Sequence, residues 1–474
     1  MLTRRNMLRA TTAAGVLAAV PAGVVVGSRS GTARAAESPF TTPLKVPTPI
    51  RPVRLADHDF YRLTTREADV TVLPGTTTRI RSFNGTMSPL IVARRGRPVV
   101  IEQINRLNVP FSMHLHGGHT PGSSDGHPKY QVNPGDQRIF RYPNAQDAAT
   151  LWIHDHTHHE HAENVYRGLA ATYLVTDEFE ESLPLPKGQY DVPLQLRDAE
   201  FEENGALVWD MHDFEGRHTV LVNGRPRPYF EVAARKYRLR LINTSNERLF
   251  LLQLGEGEGE EFTHIATDGG LLPAPVTTRL LQLWPGERHE IVVDFARYGV
   301  GRKLVLNNTY PYEGEAPGVM RFDVVREAAD PSSVPSKLRP VPDFGTSQVE
   351  REFTMSFNPK TGEHLINNKP FDVDRVDIRP KLGVTETWKI TNADTQYGIP
   401  HSMHPHLNAF KILDRNGKPP AAGEAGLKDT ISVLAGESAR IQLRFTDYEG
   451  LYMYHCHLLG HLQMGMMGQM DITR

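Results

Sequence analysis

A Gly-acid turn leading into a β-rich run occurs three times in the chain: "NPGDQRIFRY" (133–142), "WPGERHEIVVDF" (284–295) and "LAGESARIQLRF" (434–445). Nineteen residues beyond its glycine stands His154 for Gly135, Val305 for Gly286 and His455 for Gly436. Each turn is preceded by an opening strand-turn ("SFNG", "LVNG", "LINN") and a second strand ("VVIEQIN", "YRLRLIN", "TWKITN"). Self-similarity at a fixed spacing marks a repeated unit. The runs are short, rich in β-branched residues and punctuated by Gly, Pro and Asn, with no long amphipathic helical pattern. The expected fold is all-β, three consecutive Greek-key β-sandwich domains over 36–180, 181–327 and 349–474. A Pro-rich linker at 328–348 precedes the third. The middle unit carries Val305 and Asn307 where its neighbours carry His-x-His, so it is expected to hold no ligands.

The N-terminus reads as an export signal. A basic stretch with Arg4-Arg5 is followed by a small, apolar segment and an A-x-A site at Ala33-Arg34-Ala35. The arginine pair with Met7-Leu8 resembles a twin-arginine signal, so residues 1–35 are expected to be removed from a secreted or extracytoplasmic protein. The rest, more than 400 residues, is long enough for two to four domains. The excised segment holds five arginines and no acid, which leaves the remainder net acidic. Nucleic-acid binding needs the opposite balance and is excluded as an expectation. No other stretch is apolar enough to span a bilayer, so no stable membrane association is expected once the signal is gone. With one cysteine, packing rather than disulfides must hold the fold.

Ten of the 21 histidines fall in "HLHG" (His114, His116), "HDH" (His154, His156), "HSMHPH" (His401, His404, His406) and "HCHLLGH" (His455, His457, His461). On a strand, residues i and i+2 share a face, so each His-x-His pair presents two imidazoles to one side. Four such strands bring eight imidazoles together, more than one ion takes and enough for three. The same parity separates a second site. Cys456 lies between His455 and His457 and faces away from both, and His401 is at an odd offset from His404. His461 and Met466 follow five and ten residues after the cysteine. His401, Cys456, His461 and Met466 form the His₂Cys-Met set of a blue-copper electron-transfer site. Zinc suits a pair of imidazoles but gives no reason for a Cys-Met site one peptide away.

The four motifs "HLHGG", "WIHDH", "HSMHPH" and "HCHLLGHLQMGM" together resemble those of the multicopper oxidases, and the resemblance covers the whole chain after the signal. Further stretches resemble the bacterial spore-coat laccase and bilirubin-oxidase-like branch. The resemblance implies cupredoxin-like domains and four coppers per chain. It places one type 1 copper on His401, Cys456, His461 and Met466, one type 2 copper on His114 and His404, and a type 3 pair on His116, His154, His156, His406, His455 and His457. It also implies a laccase-like enzyme, expected here as a monomer. Such an enzyme takes electrons singly from a small-molecule donor, phenolic or aminophenolic, near His461, passes them over Cys456 and reduces O2 to water. A cuprous or ferrous metallo-oxidase and a bilirubin-oxidase-like activity are the competing readings, and the modest methionine content favours an organic donor. Asp125 matches an acid that related enzymes place beside the type 2 copper, although Asp-Gly also signals a turn. Leu462 stands where related bacterial enzymes often carry glutamate. His119, His158, His159 and His161 read as a solvated polar loop rather than as further ligands.

Overall fold

The computed structural model describes residues 39–212, 216–310 and 317–474. The export segment read at 1–35 lies outside these residues. Among the described residues strands dominate and form six sheets, two in each of three successive stretches of chain.

The sequence repeat recurs as topology. Val99–Asn105, Lys236–Asn243 and Thr385–Asn392 each pair in parallel with an earlier strand: Asp59–Val70, Asp191–Ala199 and Val349–Asn358, respectively. Each also pairs antiparallel with the strand after its Gly-acid turn, and the register is the same. Val99 faces Tyr142, Lys236 faces Asp294 and Thr385 faces Arg444. The opening turns match as well. Asn84-Gly85, Asn223-Gly224 and Asn367-Asn368 all have φ between 50° and 80°. Two successive positive-φ residues make the tight hairpin turn whose twist suits paired strands, and Asn and Gly tolerate that region best.

Each sandwich has its own apolar core. Phe83, Phe111 and Phe140 fill the first, Phe250, Phe295 and Phe322 the second, and Phe353, Trp388 and Phe410 the third. A further cluster with Trp152, Ile242, Met453, Leu459 and Leu462 draws on all three and seals their junction. The Pro-rich segment 328–348 contains no strand, yet it is more than a spacer. Asp330 accepts hydrogen bonds from Arg235 and Lys236, the Leu338 amide donates to the Pro273 carbonyl, and Arg339 pairs with Asp147 and Asp177.

The His-x-His strands hold equivalent places. Ala149–Asp155 lies between Met113–His116 and Ala170–Thr176, and Gly450–Cys456 lies between His401–Pro405 and Met467–Ile472. His114 therefore sits directly opposite His154, and His404 opposite His455. The middle counterpart, Lys303–Asn308, carries Val305 and Asn307.

Candidate metal centre

The eight imidazoles predicted to converge do so, in a buried space between the first and third sandwiches. His116 stacks on His404 (3.8 Å between centroids) and His114 on His406 (3.9 Å). All eight are at most 1% exposed. Most have one ring nitrogen fixed by the protein. The Nδ1–H groups of His114, His154, His404 and His455 donate to the carbonyls of Asp125, Asp155, Asp429 and Cys456. His406 Nδ1 donates to the Asp125 carboxylate (2.7 Å) and His116 Nε2 to the Asp429 carboxylate (2.9 Å). Such partners set the tautomer and leave the other nitrogen as a lone-pair donor.

Those other nitrogens face one another. His114 Nε2, His116 Nδ1, His154 Nε2, His404 Nε2 and both nitrogens of His457 are buried without a hydrogen-bond partner. His455 Nε2 lies 3.1 Å from both His156 Nε2 and His406 Nε2. Because His406 and His455 carry their protons on Nδ1, lone pair faces lone pair between them. A shared cation makes that arrangement favourable, so the residues fit a metal cluster.

The second pocket lies on the other face of Gly450–Cys456. His401 Nδ1 is 3.1 Å from His461 Nδ1, and Cys456 Sγ is 3.7 Å from His461 Nδ1. The second nitrogen of His401 donates to Asp394 (2.6 Å). The Ser402 amide donates to Cys456 Sγ at 3.4 Å. Burial pushes the Cys456 thiol up to about 12, so the sulfur keeps its proton at neutral pH unless a metal cation takes the proton's place. Of the neighbouring methionines, Met466 shares the apolar cluster of Cys456, whereas Met467 belongs to the junction cluster. The Met466 amide donates to the His461 carbonyl and its own carbonyl accepts from the Cys456 amide, which ties the three residues together. His461 is partly exposed and the other residues of this set are buried.

Among the described residues, the middle sandwich adds no imidazole to this cluster but completes its surroundings. A Cβ at Gly286, whose φ is 85°, would stand 2.7 Å from His457 Nδ1, so only glycine lets this turn approach the ring. Two residues on, the fully buried Arg288 grips Asp429 through two hydrogen bonds (2.7 and 2.5 Å), and Asp429 holds His116. Sequence reasoning missed this Arg288–Asp429 pair. Lys428, buried beside Asp268 and Glu287, extends the network.

Burial first, and mutual repulsion second, hold His116, His154, His156, His404 and His455 well below the usual histidine range. His406 is lowered to about 4 and His457 to about 3, again chiefly by burial. An unfolded chain titrates these rings near 6.5. Between that pH and the lowered values the unfolded state binds more protons, so this contribution to stability is present above about pH 6.5 and lost as pH falls. The copper-free protein should therefore unfold at steadily lower urea concentration between pH 7.5 and 5, as followed by circular dichroism. A midpoint that stays level or rises would contradict the buried neutral rings.

The remaining sequence candidates divide. Asp125 is fully buried, with Oδ2 on His406 and Oδ1 3.5 Å from His114 Nδ1. Burial works to raise its pKa, but His406 and His114 more than offset this and hold the carboxyl well below its ordinary value. Leu462 is 1% exposed in the junction cluster. The loop expected to be solvated is so only in part. His159 is exposed, but His161 is buried in the short helix His161–Tyr166. Its ring lies 2.8 Å from the Thr157 carbonyl and 3.1 Å from the Leu459 carbonyl, linking the first unit to the third. One more histidine, His364, sits at the second pocket without having been expected there. It is stacked on His461 at 3.9 Å.

Family models described as multicopper oxidase match residues 64–179 and 344–474. The laccase of Bacillus subtilis (strain 168) is 33% identical over 514 residues, covering 92% of this chain and 98% of that one. The bilirubin oxidase of Albifimbria verrucaria is 33% identical over 470 residues, covering 92% of this chain and 81% of the other. Among solved structures, a laccase from Pediococcus acidilactici superposes with a TM-score of 0.85 at 31% identity, covering 93% of this chain and 95% of that one. With two buried histidine-rich pockets on a cupredoxin framework, the chain belongs to the multicopper oxidase family. It is a laccase-like, copper-dependent oxidoreductase that uses O2.

Proposed function

We propose that this enzyme oxidises small phenols or aminophenols one electron at a time and reduces O2 to water, using four coppers per chain. The type 1 ion is assigned to His401, Cys456, His461 and Met466. The type 2 ion is assigned to His114 and His404. The type 3 pair is assigned to His116, His154 and His457 on one side and His156, His406 and His455 on the other. Bound copper supplies the one-electron steps and the four-electron chemistry of O2. The protein supplies the rest. His461, the one partly exposed member of its pocket, offers an edge to a donor at the surface. Cys456 is joined by one peptide bond to His455 and another to His457, a covalent path from that pocket to the junction. Asp394, Asp125 and Asp429 hold ligand rings in fixed tautomers. The observation that carries the reading is this pairing of one Cys-His pocket near the surface with eight buried imidazoles directly behind it.

The copper-loaded protein should be blue, contain about four coppers per chain and take up O2 fastest with a phenol or aminophenol. Steady-state O2 uptake with a phenol, an aminophenol, bilirubin and Cu(I) tests this. Turnover with Cu(I) alone would favour a metal-ion oxidase instead. All twelve ligands lie on one chain, so a monomer suffices for the chemistry. Among the described residues, no helix is long and apolar enough to cross a membrane. The N-terminal pattern supports export by the twin-arginine route, followed by removal of residues 1–35. Changing Arg4-Arg5 to Lys-Lys should leave uncleaved protein inside the cell on fractionation, and unaltered export would refute that route.

A further inference from the structure

The pocket assigned to the type 1 ion contains a third imidazole, and its geometry defines its role. His364 lies on the short strand Glu363–Ile366, and its amide donates to the Met464 carbonyl at 3.0 Å. This strand is thereby fastened to the loop between His461 and Met466. The His364 ring lies 3.9 Å from that of His461 at an interplanar angle of 14°, and Phe357 covers it at 4.8 Å. It meets His401 nearly edge-on, at 5.8 Å and 83°. The residue is 3% exposed, and its Nδ1 has no hydrogen-bond partner.

A ring nitrogen of His364 comes within 4.8 Å of those of His401 and His461, a spacing that suggests a three-histidine ion site. The stacking argues against it. An imidazole lone pair lies in the plane of its ring, and two nearly parallel planes a ring thickness apart cannot both aim at one ion. His364 is therefore not a ligand to the ion that His461 holds. Nor is it ordinary filling. An apolar side chain would occupy the same volume without leaving a buried nitrogen unpaired.

We propose that His364 is a positioning residue that lowers the reduction potential of the type 1 copper by acting through His461. The inference rests on the type 1 assignment made above. Two effects follow from the stack. The face-to-face contact fixes the plane of the one ligand ring that is partly exposed. The electron-rich face of the stacked imidazole also places negative potential against the His461 ring. Negative potential favours the more positively charged, oxidised copper. Outer groups of this kind tune a metal without touching it.

The test is redox titration of the blue band in the copper-loaded parent and in His364→Phe and His364→Leu, with copper content measured for each. His364→Leu removes both ring and nitrogen and should raise the constant for electron uptake three- to tenfold, about 30–59 mV for a one-electron couple. His364→Phe keeps a flat ring, removes the nitrogen and should fall between parent and Leu. An unchanged or lower potential in His364→Leu overturns the proposal. Should that variant fail to retain copper, the same criterion applies to His364→Phe. A colourless parent would instead overturn the type 1 assignment itself, so the two failures are distinguishable.

Discussion

Cys456→Ser should bleach the blue band and abolish oxidation of every donor while leaving a folded protein. The intense colour of such sites belongs to a copper–thiolate bond, which a serine hydroxyl cannot reproduce. The change is small in volume. Cys456 is fully buried, and the Ser402 amide that donates to its sulfur at 3.4 Å can donate to an oxygen instead. His114 and His404 take their orientation from Asp125 and Asp429 rather than from the cysteine. The type 2 signal in electron paramagnetic resonance should therefore persist. A variant that stays blue, or that still oxidises donors at the parental rate, would remove Cys456 from both the site and the path.

The second large effect is expected at Asp125. Its carboxylate is buried, accepts from His406 at 2.7 Å and lies beside His114, so it contacts ligands assigned to two different ions. Held ionised by those two rings, it fixes the His406 tautomer and keeps a negative charge beside the path by which protons must reach the buried cluster. Asp125→Asn keeps the shape and removes the charge. O2 reduction should slow by a factor of order 10²–10⁴, the usual range for a lost proton-transfer group. Electron entry should be unaffected, so the blue copper should stand reduced and pale during turnover. Stopped-flow mixing of the anaerobically reduced protein with O2 gives the rate at which the blue colour returns. Recovery as fast as the parent's would leave Asp125 a turn residue. Restoring the missing bacterial acid through Leu462→Glu is not expected to rescue this variant. Leu462 is packed against apolar neighbours at the junction, and a carboxylate there would be buried without a partner.

Both predictions draw on residues legible in the sequence. The offset of 19 residues from the turn glycine reaches histidine in the outer two copies of one sandwich and Val305 in the middle copy, and strand parity alone sorts the ligands between two pockets. What escaped notice is what depends on contact between distant segments. His364 stands alone in "GEHLIN" and meets His461 only because its strand is bonded to the loop at Met464. Arg288 and Asp429 are 141 residues apart and look like ordinary charges near turns until burial pairs them. His161 sits among histidines that read as solvated, and only its helix, turned against Leu459, buries it. The Pro-rich segment reads as a spacer by composition, while Asp330 and Arg339 fasten it in place. Local pattern reports strands and faces. It does not report which separate pieces of chain become neighbours.

The junction has a further consequence. Its imidazoles come from residues 114–156 and from residues 404–457, so metal bound among them joins parts of the chain separated by some 250 residues or more. A ligand that binds only the assembled form stabilises that form by mass action. It also acts as a cross-link over a very long loop, the kind of closure that removes most freedom from an open chain. Each sandwich meanwhile keeps an apolar core of its own. Chelation would thus undo one fastening of several: the apolar junction and the Arg288–Asp429 pair would still hold the seam, but more weakly, and the metal that serves as cofactor would also tighten three modules into one body.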